Sequence, residues 1–233
     1  MNKVKIIAFD ADDTLWINEA YYQEVETKFQ ALLQEYLPAK DVSDELLKTE
    51  IQNIDKYGFG AKGFILSMIE TAIKISQNKV STKVIEEIIS LGKSLICKDI
   101  KLLPNVIETL SALKEDYKLI IATKGDLLDQ TRKIKKSGLQ KYFSHTEVMN
   151  NKYENNYLKL LKTLNISPEK FLMVGNSVKS DILPVISIGG NAIHIPYSVM
   201  WKHEVAENVN PKKNYKTISN LSELITLLKI KKQ

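Results

Sequence analysis

Two aspartates, Asp10 and Asp12, stand directly after a short apolar run that ends at Phe9. Residues two apart in an extended chain point to the same side, so the two carboxylates are expected to lie close together. Carboxylates held close repel each other, and either the pKa of one rises or a cation binds between them. The pair suits Mg²⁺, which takes a few carboxylate oxygens together with waters and phosphate oxygens. It also suits a division of roles, with one carboxylate as nucleophile and the other as general acid and base.

A second interpretation of this segment is a turn that caps the following helix, because Asp and Thr14 both serve well as N-caps. Polar residues that follow three later apolar runs favour the chemical interpretation. Those residues are Thr123-Lys124-Gly125-Asp126, Asn150-Asn151-Lys152, and Gly175-Asn176-Ser177 with Asp181. If the runs are parallel strands, their carboxyl ends meet at one edge of a sheet, where ligands bind in such folds. The sequence therefore predicts an active site at that edge.

The order of elements along the chain supports a parallel sheet. After the first strand, residues 17–99 show apolar residues recurring at three and four, which predicts an all-helical block. From residue 100 onward, short apolar runs alternate with helical patterns, which is typical of βαβ units and a parallel sheet. The predicted division is a core of residues 1–16 and 100–233 and an inserted helical domain of residues 17–99.

The first motif, Asp10-Ala11-Asp12-Asp13-Thr14-Leu15, resembles the D-x-D-x-T motif of the haloacid dehalogenase-like (HAD) superfamily. Three further motifs resemble those of the family and stand in its order: Thr123, Lys152, and Gly175-Asn176-Ser177-Val178-Lys179-Ser180-Asp181. The resemblance spans about residues 4–200. It implies an α/β fold with a Rossmann-like parallel sheet core flanked by helices, and an inserted all-α cap domain of type C1.

The resemblance also implies a role for each motif residue. Asp10 would attack phosphorus and form an aspartyl-phosphate, and Asp12 would protonate the leaving group and then activate water. The candidate phosphate-binding residues are Thr123, Lys124 and Lys152. The implied cofactor is Mg²⁺, with the candidate ligands Asp10, Asp12 (through its carbonyl), Asn176 and Asp181.

Asp12 favours a phosphatase over the dehalogenases that gave the family its name. Those enzymes lack the second aspartate, since a departing halide needs no proton whereas the leaving oxygen of a phosphate ester does.

Two positions depart from the family pattern. Asn176 stands where many relatives have Asp, so metal affinity is expected to rest more on Asp181. Asp13 stands where many relatives have Gly.

Several other residues have a functional and a structural interpretation. Lys62 lies in the glycine-rich segment 58–64 between two predicted cap helices and is the candidate substrate-binding residue of the cap; the alternative is an ordinary helix–helix turn. Trp16 either lines the substrate cleft or packs the hinge. The three histidines are scattered without metal-ligand spacing and are predicted to be structural. Cys97 is predicted to be a small core residue.

Composition narrows the class of protein. The chain has 233 residues and one cysteine, which excludes a disulfide framework and a multi-cysteine zinc site. Its net charge is +5, but no basic run is flanked by aromatic residues for stacking, so no nucleic-acid partner is expected. No apolar stretch approaches the ~20 residues of a membrane span, and the first apolar run is too short for a signal peptide. We expect a cytoplasmic protein without a membrane partner.

The leading hypothesis is a Mg²⁺-dependent phosphatase that acts on a small phosphorylated metabolite under a closing cap. A phosphomutase or phosphotransferase with the same nucleophile is the alternative, and a non-catalytic protein that binds a phosphorylated ligand is the third. The sequence leaves the identity of the substrate and the oligomeric state open.

Overall fold

A single parallel sheet forms the centre of the computed structural model, which describes residues 3–205 and 215–229. Within those ranges the sheet has six strands in the order β3-β2-β1-β4-β5-β6, all parallel. The strands are β1 (Ile6–Phe9), β2 (Lys118–Lys124), β3 (His145–Met149), β4 (Phe171–Gly175), β5 (Asn191–His194) and β6 (Lys216–Thr217). The predicted parallel α/β sheet is confirmed. Strand order reverses at β1, and such a switch point opens a crevice at the carboxyl ends of the strands.

β1 is buried on both faces of the sheet. Ile7 and Phe9 pack into one apolar cluster, whereas Ile6 and Ala8 pack into another on the opposite side. Successive side chains of a strand point to opposite faces, so an unbroken apolar run is what a strand covered on both sides requires. The burial of β1 places the polar residues that follow it at the rim of the core.

Helices cover both faces of this sheet. On one face lie residues of α5 (Val106–Leu113), α6 (Leu127–Ser137) and α9 (Glu223–Lys229). On the other face lie residues of α7 (Glu154–Leu164) and α8 (Leu183–Ser187). Each of these helices directs an apolar side toward the strands, as amphipathic helices do in α/β proteins.

Two elements of the core differ from the sequence-based expectation. β6 was not predicted, because it has only two residues, both exposed, and so carries no apolar pattern. Residues 182–188 carry one of the helical patterns of the sequence, but a π-helical turn, Val178–Ile182, comes first and α8 begins at Leu183. π-helical turns are rare and occur mostly at functional sites. This one carries Asp181.

The second unit, residues 18–99 with 125–129, contains α1 (Glu19–Leu32), α2 (Ala39–Tyr57), α3 (Ala61–Ile75) and α4 (Thr82–Cys97). Phe29, Leu46, Met68 and Ile88 are fully or almost fully buried and belong to its apolar core. Pro38 lies between the first two helices of this unit and does not end the first one. α1 ends at Leu32, and Pro38 stands at the N-cap of α2, where its missing N–H is not needed.

The prediction that Cys97 is a core residue is wrong. Cys97 is the last residue of α4 and is exposed, since the apolar face of the helix is formed by residues such as Ile88 and Leu95.

None of the helices in the described ranges combines the length and the hydropathy needed to cross a membrane.

Candidate active site

Asp10 follows β1 and is held by donors on both carboxylate oxygens. The Lys152 ammonium lies 2.5 Å from Asp10 Oδ1, and the Thr14 hydroxyl donates to Asp10 Oδ2 at 3.0 Å. The chain turns at Asp13, which adopts the left-handed conformation with φ of 61°, and this turn directs the Thr14 side chain toward Asp10. Gly adopts that conformation without strain, and Asp is one of the residues that tolerate it. Asp13 therefore keeps the local turn at the position where many relatives have Gly.

Burial controls the charge of this pair. Burial raises the pKa of Asp10 from 3.8 to about 7, although Lys152 acts to lower it. Burial by itself would lower the pKa of Lys152, but the negative charges of Asp10 and Asp181 outweigh it and raise that pKa well above its ordinary value. Lys152 is therefore a fixed positive charge, whereas Asp10 exchanges its proton near neutral pH.

Asp181 lies on the other side of the same ammonium. Its Oδ1 accepts from Lys152 Nζ at 2.7 Å, and its Oδ2 accepts from the backbone N–H of Ser177 at 3.0 Å. The carboxylate passes so close to the end of β4 that a Cβ on Gly175 would lie 2.2 Å from Asp181 Oδ2. Only glycine leaves room for this approach. Asn176 joins the group through its Oδ1, which lies 3.3 Å from the Thr14 hydroxyl.

These residues supply oxygen ligands of the kind that Mg²⁺ prefers. Asp10 and Asp181 contact the Lys152 ammonium, and the amide oxygen of Asn176 accepts from Thr14, which also donates to Asp10. These three residues offer oxygen, rather than nitrogen or sulfur, as ligands. Across residues 3–205 and 215–229, no three His, Cys, Asp or Glu side chains are grouped closely enough to hold a metal by themselves. The donor set therefore fits an ion such as Mg²⁺, which keeps several water ligands and needs few carboxylates.

Asp12 is held separately from Asp10. Its Oδ1 accepts from Trp16 Nε1 at 2.7 Å, its Oδ2 accepts from Gln130 Nε2 at 2.9 Å, and Lys133 Nζ lies 2.7 Å from both oxygens. Gln130 Nε2 also lies 3.1 Å from the hydroxyl of Thr123, at the end of β2. The second carboxylate and the predicted phosphate-binding hydroxyl are thus joined by one buried amide.

Lys124 faces a carboxylate that the sequence did not reveal. Its ammonium contacts Glu204 and lies 3.1 Å from Ser180 Oγ. Glu204 also accepts from the hydroxyls of Ser177 at 2.6 Å and Ser180 at 2.7 Å. Burial would raise the pKa of Glu204, but Lys124 and the two hydroxyls lower it to about 2. The role of Lys124 as a phosphate ligand stays a prediction, and in this structure its charge is balanced by Glu204.

Hydrogen bonds group the motif residues in two sets. Lys152 after β3 contacts Asp10 and Asp181, and Gln130 joins Asp12 to Thr123 near the end of β2. The haloacid dehalogenase-like hydrolase profile matches residues 4–189, which is most of the chain. The chain belongs to the haloacid dehalogenase-like hydrolase family.

Several proteins resemble this HAD-like hydrolase over nearly its whole length. A HAD-like family hydrolase from Xanthomonas campestris superimposes with a TM-score of 0.87 at 33% identity, over 98% of this chain and 91% of that one. A predicted phosphoglycolate phosphatase from Haemophilus somnus has the same fold, with a TM-score of 0.65 at 19% identity, over 98% and 99% of the two chains. The glyceraldehyde 3-phosphate phosphatase of Pyrococcus furiosus is 26% identical over 208 residues, which are 84% of this chain and 82% of that protein.

Sequence reasoning missed four residues of the HAD-like site, Gln130, Lys133, Tyr157 and Glu204, because none of them belongs to a motif. Trp16 carries two interpretations from the sequence, and the structure places its indole N–H on Asp12. Tyr157 is fully buried and donates to the carbonyl oxygen of Ser180 at 3.0 Å. One signal was present: Gln130 and Lys133 stand three apart in the helix that follows Thr123, so they share a helix face.

Lys62, the candidate substrate residue of the cap, forms an ion pair with Asp126 at 3.0 Å within the second unit. Asp126 Oδ1 also accepts from the backbone N–H of Asp129, so it caps the start of α6. The Lys62 side chain is 54% exposed. Its role toward a substrate stays a prediction.

Proposed function

We propose that this HAD-like hydrolase is a Mg²⁺-dependent phosphatase that cleaves a small phosphorylated metabolite through an aspartyl-phosphate intermediate. The observation that carries the proposal is the separation of two carboxylates. Asp10 lies against a buried ammonium, and Asp12 is held by a different set of donors. Phosphate-ester hydrolysis needs a nucleophile and a proton carrier that act independently, and this arrangement supplies both.

Asp10 is the proposed nucleophile. One of its oxygens forms a bond to phosphorus as the bond from phosphorus to the leaving oxygen breaks, and Asp12 gives its proton to that oxygen. In the second half, water attacks phosphorus, Asp12 takes the proton from water, and the bond from phosphorus to Asp10 breaks. Asp12 therefore ends the cycle with the proton that it spent at the start.

Lys152 and Thr123 are the proposed ligands of the transferring phosphoryl group. The raised pKa of Lys152 keeps its ammonium charged at neutral pH, so it can stabilise negative charge on the phosphoryl oxygens. Asp10, Asp181, Asn176 and the Asp12 carbonyl would hold Mg²⁺. When bound, Mg²⁺ supplies further positive charge against the phosphoryl oxygens.

The relative from Pyrococcus furiosus, which acts on a three-carbon aldehyde phosphate, supports a small phosphorylated substrate. We therefore place glyceraldehyde 3-phosphate first in a panel of small phosphate esters, with and without Mg²⁺. Release of inorganic phosphate together with the free alcohol indicates a hydrolase. Transfer of the group to a second sugar would instead indicate a phosphotransferase.

Replacement of the nucleophile provides the decisive comparison. Asp10→Asn keeps the size of the side chain and removes the attacking charge, so we expect the turnover of the best panel substrate to fall by at least about a thousandfold. Asp55→Asn is the matched control, since Asp55 is exposed on α2. Equal activity of the wild type and Asp10→Asn, or no phosphate release by the wild type from any ester with Mg²⁺, contradicts the proposal.

A further inference from the structure

The carboxylate of Asp12 is contacted on both oxygens by three donor groups. Trp16 Nε1 reaches Oδ1, Gln130 Nε2 reaches Oδ2, and Lys133 Nζ reaches both. A carboxylate has about four lone-pair sites, so these four contacts fill its accepting capacity. When Asp12 carries a proton, one of its lone-pair sites is occupied by that proton. One of the four donor contacts must then be lost.

Lys133 is the donor that can lose its contact with one Asp12 oxygen and still hold the Asp12 side chain through the other. Its ammonium lies 2.7 Å from both oxygens of Asp12, so it can donate to either one alone. Trp16 and Gln130 each reach a single oxygen, and their ring and amide planes set the orientation of the carboxylate. The Lys133 side chain is only 13% exposed, which limits competition from water for its hydrogen bonds.

The contacts of the Gln130 side chain are made by its amide nitrogen rather than by its oxygen. Its Nε2 lies within 3.1 Å of three acceptors, namely Asp12 Oδ2, Thr123 Oγ1 and the carbonyl oxygen of Lys124. Its Oε1 is buried with no hydrogen-bond partner among the atoms the structure describes. A buried acceptor without a partner costs stability, so a purely structural role explains the placement of Gln130 poorly.

We propose that Gln130 and Lys133 of α6 are positioning residues for proton transfer by Asp12, with Lys133 withdrawing to one carboxylate oxygen while the other carries the proton. This inference rests on the proposed phosphatase function. As the bond from phosphorus to the leaving oxygen breaks, the proton of Asp12 passes to that oxygen, and Lys133 then contacts both oxygens again. When water attacks, the proton that it loses returns to Asp12.

Leaving groups of different acidity test this role. A p-nitrophenolate leaves without a proton, whereas the alkoxide of an alkyl phosphate needs one. In Lys133→Met we expect kcat/KM for the alkyl phosphate to fall about tenfold to hundredfold, because misplacement of a catalytic group has effects of that size. We expect kcat/KM for p-nitrophenyl phosphate to stay within about threefold, since this ratio reports steps only up to departure of the leaving group.

Three further variants calibrate the comparison. Asp12→Asn removes the proton carrier and should show the largest difference between the two substrates. Gln130→Met should show the same pattern as Lys133→Met, to a smaller extent. Lys135→Met is the matched control, because Lys135 is exposed on the same helix, and it should leave both substrates unchanged.

Equal losses on the two substrates in Lys133→Met, or no loss on either, overturn the inference and leave the phosphatase proposal standing. A wild type that releases no phosphate from any ester of the panel with Mg²⁺ overturns both. If Lys133→Met does not fold, Lys133→Gln decides, because its neutral amide can donate to one oxygen but cannot contact both as the ammonium does. Retention of the full wild-type preference between substrates in Lys133→Gln then contradicts the inference.

Discussion

Asp10 and Lys152 are both buried, and each shifts the pKa of the other. Burial raises the pKa of Asp10 to about 7, and the carboxylates of Asp10 and Asp181 raise that of Lys152 against the effect of burial. A metal ion binds the ionised carboxylate only, so proton and metal compete for Asp10.

We therefore expect the apparent affinity for Mg²⁺ to fall about tenfold for each pH unit below 7 and to level off above it. The sign follows from the raised pKa, since Asp10 in the metal-free protein is protonated below pH 7 and must release that proton on binding. Calorimetric titration with Mg²⁺ at pH 5.5, 6.5, 7.5 and 8.5, in two buffers of different ionisation enthalpy, measures both affinity and proton release. An affinity that is independent of pH below 7 contradicts this prediction, and Asp10→Asn should abolish the dependence.

Glu204 contributes to stability through its buried contact with Lys124. Its pKa is lowered from 4.5 to about 2, and its side chain is only 13% exposed. At pH values above the ordinary pKa the full contribution is present. As the pH falls from 4.5 toward 2, the unfolded state binds a proton before the folded state does, and the contribution is lost.

Glu204→Gln should therefore lower the free energy of unfolding by about 3 kcal/mol at pH 7, because the charged contact of Glu204 with Lys124 is lost. The difference between wild type and variant should shrink steadily as the pH falls below 4.5. Urea unfolding at pH 7, 5, 4 and 3 measures it. Glu87→Gln, at an exposed position of α4, serves as control and should show no such trend.

At the scale of elements, the end of each core strand and the start of the next helix act together. Thr123 ends β2, and the following helix, α6, brings Gln130 and Lys133 to Asp12. β4 ends at Gly175, and the π-helical turn behind it brings Asp181 to Lys152. The predicted motif residues lie at or just after the ends of the strands. Residues of the helical segments that follow the strands hydrogen-bond to these motif residues and fix their positions.

A close helix crossing in the second unit yields a prediction about packing. Gly92 of α4 lies against Ile65 of α3, and a Cβ on Gly92 would lie 2.1 Å from Ile65 Cγ1. In a helix interior Gly→Ala ordinarily stabilises by roughly 0.5–1 kcal/mol, but here the added methyl forces Ile65 to move. We expect Gly92→Ala to destabilise by about 1–3 kcal/mol, as overpacked cores do.

The same substitution should change sign when the obstructing side chain is removed. In an Ile65→Ala background, Gly92→Ala should stabilise the protein, because only its effect on helix propensity remains. Thermal or urea unfolding of the four proteins of this double-mutant cycle measures the coupling. Additive effects of the two substitutions would falsify the close contact between these helices.

At the scale of the whole molecule, the strand order brings the distant motifs together. Asp10, Thr123, Lys152 and Asp181 are spread over 172 positions of the chain, counting from 10 to 181. They meet because β1 lies between β2 and β4 in a parallel sheet, so that the carboxyl ends of the strands share one edge. The net charge of +5 does not explain this arrangement, because net charge affects the field around the surface and does not determine the fold.

The alternation of apolar runs and helical patterns was sufficient to predict the parallel sheet, because that pattern is local. It was also sufficient to mark Asp10, which follows β1 directly, whereas Asp181 lies six residues after β4 and was marked by the resemblance of residues 175–181 to the fourth family motif. The sequence was insufficient for β6, whose two exposed residues carry no pattern, and for Cys97, whose side of the helix was misjudged.

Only the tertiary structure decided which side chains hold the motif residues. Lys124 belongs by sequence to a phosphate-binding motif, yet it faces Glu204, eighty positions later. Asp12 belongs to the first motif, yet its partner Lys133 comes from α6. Local pattern determines where a strand ends and which residues follow it. The rotation of a packed helix and the path of a distant loop depend on long-range contacts, which a single sequence does not display.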